Sequence, residues 1–349
     1  MAALSYAFYR LPYADSYTVV ESEREPVVLG DLGVLGETPG FALVPFRSSA
    51  LTPALLIRPD SITTRVLMPV PSVQDTPSGM DCGEPDARYA EAFDSFHGAV
   101  EKGSVVKLVL ARSKTIKVNS AMDLSDPQSM RGIFEQACRR YPRLMVMLYS
   151  TPLSGTWLVA SPEILLDGRG QSLHTVALAG TMPFCEGHVE WSLKNRQEQH
   201  VVEQYIENIL SGVSGDVLKD GPVTTRAGNL VHLRTDFRFH LSQGVTLGSL
   251  VRNLHPTPAV CGMPKREASE FISSHEGLDR RYYSGFAGPV GIQDEIHLYV
   301  ALRCAELMTS PDGIMAVMYA GGGIMPGSSC QSEWQETESK MKTIQNVLQ

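Results

Sequence analysis

No two cysteines stand in a C-x-x-C pair: Cys82, Cys138, Cys185, Cys261, Cys304 and Cys330 are scattered. That spacing offers neither a zinc ribbon nor a disulfide framework, so reduced thiols and a cytoplasmic location are the expectation. No block of Lys and Arg interrupts a formal net charge of −8, which argues against a nucleic-acid partner. No apolar run approaches the ~20 residues that span a bilayer, so no membrane partner is expected. The opening residues MAALSYAFYRLPYADS lack a basic segment followed by an unbroken apolar core, which speaks against a secretory signal. There is no internal repeat, no low-complexity tract and no Ser-His-Asp order. Covalent acyl chemistry therefore has no support.

What is present is core material. Of 349 residues, 43% are hydrophobic and 19% charged, an ordinary globular balance with room for one large domain or two smaller ones. The first seventy residues alternate short apolar runs with Pro and Gly, which predicts short strands and turns. Residues 69–89 read as a linker or long surface loop. Helices are predicted over 87–103, from Pro127 to about Tyr141, over 191–212 and over 245–254, with a last one in SEWQETESKMKTIQNVL, where Ser332 and Gln335 fit a capping box. LMVMLYS and TWLVAS read as strands, and IHLYVALRCAEL with GIMAVMYAGGG as a hairpin around SPDG. Strands and helices do not alternate strictly, so an α+β domain with antiparallel sheets is expected rather than a doubly wound parallel one.

Several polar residues break the apolar patterns. In VVKLVLARS, Lys107 shares a strand face with Val105 and Val109. It is either an inward lysine guarding an edge strand, a snorkelling side chain, or a desolvated amine fit to act as a base. Glu163, in LVASPEILL, is either a solvated turn residue or a buried carboxyl with a raised pKa that can donate a proton. Glu198 lies one turn before Val201 and Val202 and extends an apolar helix stripe with a carboxylate. Glu333, Glu336 and Lys340 do the same ahead of Ile344 and Val347. Each set fits helix-dipole decoration as well. Converging from two helices, however, such acids suit a hard cation such as Mg2+. YAGGGIMPGSS is a flexible turn or a backbone cradle for an anion, and Arg303, set within VALRCAEL, offers a bidentate grip on a carboxylate. These residues together describe metal-dependent proton transfer on a small anion.

The stretches KLVLARS, VASPEILL, ALAGT, NRQEQH, HPTPAVCGMPKREA, EGLDRRYYSG, LRCAEL, YAGGGI and EWQETESK occur in the order found in the chorismate-utilising enzymes, which this sequence resembles from about residue 85 to the C-terminus. That family comprises isochorismate, salicylate, anthranilate and aminodeoxychorismate synthases. The resemblance implies a single domain over 1–349, with residues 1–84 a shortened strand-rich part and 85–349 the catalytic core. Its fold would be α+β, largely antiparallel sheets packed face to face with helices outside. Three positions discriminate among members. Lys107 stands where ammonia-using relatives carry glutamine, Ala259 where they carry threonine, and Ala179 where aminodeoxychorismate enzymes carry a nucleophilic lysine. The pattern resembles the isochorismate synthase branch, with salicylate synthase as the alternative and no glutamine-amidotransferase subunit; a non-catalytic chorismate binder would have to lack an acid, base or ligand, and none is missing. Isochorismate feeds menaquinone and siderophore synthesis, and the sequence does not separate the two.

By resemblance, Lys107 takes a proton from the water that attacks C2 of chorismate, its charge disfavoured by apolar Val105 and Val109. Glu163 protonates the departing C4 hydroxyl. Glu198 and Glu336 bind Mg2+, with Glu333 close by or bridging through water. Arg303, Tyr283 and backbone near Gly321 hold the enolpyruvyl carboxylate, and Lys340, Gly180 and Thr181 the ring carboxylate. His232 aligns with a histidine facing the ligand, and Ala259 with a residue of the same pocket. Two departures stand out. Met182-Pro183-Phe184 replaces a segment that usually carries arginine, which implies a weakened structural ion pair. Glu338 replaces a glycine, which implies an added acid near the metal. A monomer is expected.

Overall fold

A computed structural model describes residues 4–68, 83–118, 122–184, 190–227 and 230–349. Six strands come first: β1 (Ser5–Arg10), β2 (Ser16–Ser22), β3 (Val27–Val28), β4 (Gly40–Val44), β5 (Leu55–Ile57) and β6 (Ser61–Val66). Helix α1 (Ala87–Glu101) leads to β7 (Lys107–Val118), and α2 (Pro127–Arg140) to β8 (Met145–Thr151), β9 (Gly155–Ser161), β10 (Ile164–Arg169) and β11 (Ser172–Pro183). Then follow α3 (Leu193–Ser211), β12 (Val217–Ala227), β13 (Leu230–His240), α4 (Leu247–Leu254), β14 (Gly262–Met263) and α5 (Lys265–His275). The chain ends with β15 (Phe286–Ile292), β16 (Glu295–Val300), β17 (Cys304–Ser310), β18 (Gly313–Ile324) and α6 (Cys330–Leu348).

The strands form two nine-stranded sheets, ordered β14-β7-β18-β17-β9-β8-β1-β2-β6 and β12-β13-β11-β10-β16-β15-β4-β5-β3. All the strand pairs are antiparallel. The strand β9 shows why its sequence is apolar without alternation. Trp157 and Val159 point into the layer between the sheets, where they meet Phe41, Leu43, Val176 and Tyr299 of the second sheet. Leu158 and Ala160 point the other way, against Phe134 of α2 and Ile344 of α6. A strand covered on both faces reads as a continuous apolar run. On the outside of the second sheet, Val202, Ile206 and Leu210 of α3 and Leu250 and Leu254 of α4 cover Leu165, Phe237 and Leu298. The result is four layers, helix, sheet, sheet and helix, as the sequence led one to expect. The strands before residue 69 are not an appendage: β1, β2 and β6 form one edge of the first sheet, and β3, β4 and β5 one edge of the second.

Four expectations change. The IHLYVALRCAEL segment is not one strand. β16 belongs to the second sheet and β17 to the first, and the chain crosses between them at Ala301-Leu302-Arg303, with Arg303 at φ +48°. Only β17 and β18 make the hairpin, with Ser310 opposite Gly313. The cap of α6 is Ser329, whose side chain accepts from the Ser332 amide, so the helix starts earlier than the capping-box reading placed it. Most of the expected linker, 69–82, lies outside the described residues, and its last three residues are the first turn of α1. Finally, α5 had no counterpart in the sequence reading, because only Ala268 and Ile272 of its residues are buried.

A buried ion pair locks the region around β7. Arg280 and Glu276 are both almost wholly enclosed. The guanidinium donates to Glu276 Oε2 at 2.7 Å, to the Val260 carbonyl at 2.8 Å and to the Val109 carbonyl at 2.7 Å. Glu276 Oε1 also accepts from the Ala111 amide at 2.7 Å. Every strong group is answered, and removing one partner leaves a bare charge in the interior. Arg280→Ala is expected to cost roughly 3–5 kcal/mol of unfolding free energy in chemical denaturation; a loss below 1 kcal/mol would contradict this.

Candidate active site

The site lies at one end of the two sheets. Its first wall is β11. Pairing of β11 with β13 slips one residue between Ala179 and Thr181, and Gly180 takes up the slack at φ +63°. A bulge of this kind needs a residue tolerant of positive φ. The α3 helix is pinned beside it by Gln199, which is buried. Its Oε1 accepts from the Ala179 amide at 2.8 Å, and its Nε2 donates to the Ala177 carbonyl at 3.1 Å and to Thr235 Oγ1 at 3.2 Å. The preceding residue, Glu198, is thereby aimed inward.

The second wall is β18. The glycine run is strand, as the hairpin reading had it and not the flexible turn, with Gly321, Gly322 and Gly323 paired to Ala111, Leu110 and Val109 of β7. The glycines serve close approach rather than turning. A Cβ on Gly323 would stand 2.1 Å from Glu198 Oε1 and 3.0 Å from Lys107 Cε, and one on Gly322 would stand 2.6 Å from Glu333 Oε2. No larger residue leaves room for those side chains. Lys107 is wholly buried, and its Nζ lies 3.0 Å from Glu198 Oε1, a contact of charges rather than an aligned hydrogen bond. The edge-strand reading fits only in part: β7 has only the two-residue β14 outside it, yet its lysine turns into the protein.

Between the walls is a cleft of about 610 Å³, counting the solvent at its mouth. Glu163, Gly180, Thr181, Glu198, His232, Ala259, Tyr283, Arg303, Gly321 and Lys340 all line it. Lys107, Glu333 and Glu336 are not part of the lining and stand behind it. Glu163 sits between β9 and β10 and is not a solvated turn: it is 2% exposed, and its Oε1 accepts from Thr257 Oγ1 at 3.3 Å. Burial pushes its carboxyl up to about 7, against the pull of the Thr257 hydrogen bond and the Lys107 and Lys340 ammoniums. Such a group holds a proton near neutral pH and can release it.

Arg303 is enclosed, and burial pulls its guanidinium down to about 10, so it remains a cation. It donates to the Ala227 carbonyl at 3.2 Å and to His232 Nε2 at 2.7 Å, and among the described residues no carboxylate lies within ion-pair distance. A buried cation without an anion is poised for one from a ligand. His232 is fixed by its neighbours. Nε2 accepts from Arg303, so Nδ1 carries the hydrogen and donates to the Gly180 carbonyl at 3.2 Å. Burial, Arg303 and Lys340 hold this imidazole neutral. It therefore orients Arg303, besides bordering the cleft. Across the cleft Lys340 Nζ donates to the Gly321 carbonyl at 2.8 Å and to Glu336 Oε1 at 2.7 Å.

The three expected metal ligands are each answered by a lysine: Glu198 by Lys107, Glu336 by Lys340 and Glu333 by Lys194. Among the described residues, no three acidic, histidine or cysteine side chains stand ready as a metal cage. Burial would raise the Glu198 carboxyl, but the ammoniums of Lys107 and Lys194 outweigh it and hold it below the ordinary range. Glu333 is 1% exposed; burial and neighbouring Glu336 push it up to about 7. Its Oε1 accepts from Ser328 Oγ at 2.9 Å and from Lys194, while Oε2 has no partner. The orphaned oxygen and the all-carboxylate donors fit a hard cation once the lysines give way.

Both departures from the family pattern acquire a physical reading. Glu338 does not join the acids. It pairs with Arg112 at 2.5 Å and Lys114 at 3.0 Å, and so ties α6 to β7. Met182 packs with Trp191, Val231 and Leu233, and Phe184 lies under the Arg226 guanidinium at 3.7 Å. Sequence reasoning missed Gln199, the Glu276–Arg280 pair and Lys194. Lys194 carried a usable signal, since it precedes Glu198 by one helical turn.

Comparison with known proteins adds independent findings. The family model described as chorismate binding enzyme matches residues 71–349. Isochorismate synthase EntC of Escherichia coli K12 is 29% identical over 256 residues, 70% of this chain and 62% of the relative, so the match spans less than two thirds of that protein. The salicylate biosynthesis isochorismate synthase of Pseudomonas aeruginosa is 30% identical over 94% of this chain and 67% of its own. The solved structure of MenF, the menaquinone-specific isochorismate synthase of Escherichia coli, superposes with a TM-score of 0.78 at 21% identity, covering 100% of this chain and 90% of that one. At that identity the likeness speaks for the fold.

Proposed function

The chain belongs to the chorismate-binding enzyme family, and from that premise we propose that it is an isochorismate synthase, converting chorismate to isochorismate. The observation that carries this reading is a single cleft lined by the buried Glu163 carboxyl, the Arg303 guanidinium and Lys340, with the buried Lys107 side chain directly behind its Gly323 wall. Lys107 accepts a proton from water as the oxygen bonds to C2 of the ring. The ring double bonds shift, the C4–O bond breaks, and Glu163 gives its proton to the departing hydroxyl, which leaves as water. One water enters and one leaves, so the net reaction is an isomerisation. Arg303, oriented by His232 and the Ala227 carbonyl, takes the enolpyruvyl carboxylate, with Tyr283 and Gly321 beside it. Lys340, Gly180 and Thr181 border the ring carboxylate.

The reading includes Mg2+ held by Glu198 and Glu336 with Glu333 beside them. When bound, the ion would neutralise the ring carboxylate and fix the ring between acid and base. The glycines at 322 and 323 leave room for the acids against the strand, and Glu333 Oε2 is a buried donor with no partner among the described residues. No amidotransferase subunit enters the reading, because water is the nucleophile. The product would serve menaquinone or siderophore synthesis. The direct test is incubation with chorismate and Mg2+ followed by chromatography. Isochorismate is expected, and none without the cation. Salicylate with pyruvate would move the assignment to salicylate synthase, and unchanged chorismate would overturn it.

A further inference from the structure

We propose that Lys194 is an internal competitor for the divalent cation: its ammonium occupies the place of positive charge beside Glu333 and Glu198, and must leave when the cation arrives. This rests on the Mg2+ reading above and deepens it. On α3, Lys194 lies one turn before Glu198, and its Nζ is bound to Glu333 Oε1 on α6, so it bridges the two helices that carry the acids. It is absent from the cleft lining, unlike Lys340. Lys107 and Lys340 have further tasks, on water and on the Gly321 carbonyl; among the described residues the Glu333 carboxylate is the sole hydrogen-bond partner of the Lys194 ammonium. Each of the three carboxyl groups already has a lysine against it.

A dication entering carboxyl groups that lysines already answer gains less until a lysine withdraws. Lys194 has an exit: its side chain is 24% exposed, against 0% for Lys107 and 19% for Lys340, which the Gly321 carbonyl also holds. Withdrawal frees Glu333 Oε1, next to the partnerless Oε2. Glu333 keeps the Ser328 hydroxyl at 2.9 Å and so stays in place. Cation affinity is thus set partly by a residue that touches neither substrate nor cleft.

The test is Mg2+ binding to the full chain, followed by calorimetry and by the shift in melting temperature, with no chorismate present. Lys194→Met, which keeps length and removes charge, is expected to bind Mg2+ roughly tenfold more tightly than the unaltered protein, a change equivalent to about 1.4 kcal/mol. It is also expected to melt lower in EDTA, because Glu333 loses its counter-charge, and to gain more from Mg2+. Lys194→Arg, which keeps the charge, is expected to bind as the unaltered protein does. Equal or weaker binding by Lys194→Met, with Lys194→Arg unchanged, overturns the competitor role while leaving the metal reading intact. Binding by neither protein nor variant overturns both.

Discussion

Lys107→Ala is expected to lower the rate of isochorismate formation by at least about a thousandfold, within the range a positioned general base contributes. The reason is geometric. Lys107 is the buried amine packed directly behind Gly323, which lines the cleft. Chorismate should still bind, because Arg303, Lys340 and the Gly180 bulge are untouched, and equilibrium binding followed by tryptophan fluorescence checks that. The substitution leaves Glu198 without its counter-ion, so a melting curve must accompany the kinetics. A folded, ligand-binding variant that turns over at a tenth of the normal rate would remove Lys107 from the role of base.

Glu163→Gln should lower the rate by about a hundredfold to a thousandfold and change its pH dependence. A general acid must carry its proton. With the carboxyl pushed up to about 7 by burial, the rate of the unaltered protein falls as pH rises through about 7. Glutamine has no proton to lose, so that limb should vanish. Stability follows the same group. Its folded pKa lies above the ordinary 4.5, so the folded chain holds a proton that the unfolded chain has released. The stabilising contribution is complete below about 4.5 and is lost as pH rises towards 7. Melting temperature should decline over that window, and less steeply in the glutamine variant. An identical alkaline limb in both proteins would assign the titration elsewhere.

The fold class was legible because helix and strand periods were clean where one face is buried. The α3 helix falls where the pattern put it, and its C-cap is Gly212. Legibility failed where tertiary context sets the backbone. Ala301, Leu302 and Arg303 sit in an apolar run that nothing local interrupts, yet the chain there must leave one sheet for the other, and Arg303 takes a positive φ to do so. The Gly321–Gly323 run read both as the end of a hairpin strand and as a turn, because glycine usually marks one; here side chains from two helices and a neighbouring strand need the space, which no local rule encodes. The α5 helix was missed because an amphipathic pattern with two buried residues is too sparse.

The site was legible in part for a related reason. Charges inside apolar patterns stand out, so Lys107, Glu163, Glu198, Glu333 and Arg303 could be singled out singly. Family resemblance supplied the grouping. The supporting residues could not be found the same way. Gln199 works through four buried hydrogen-bond contacts to β11, β13 and its own helix, and a glutamine on a polar helix gives no sign of them. Nor does Glu338 betray that Arg112 and Lys114 draw it away from the other acids.

The central claim is that water adds to the ring on one side of this cleft as a protonated carboxyl group releases the hydroxyl on the other. Mass spectrometry of the product formed from chorismate and Mg2+ in 18O-labelled water tests it most directly. The account predicts isochorismate carrying one 18O, at the C2 hydroxyl, in every molecule formed. Isochorismate without the label would mean that the original hydroxyl migrated within the substrate, and would contradict the roles given to Lys107 and Glu163.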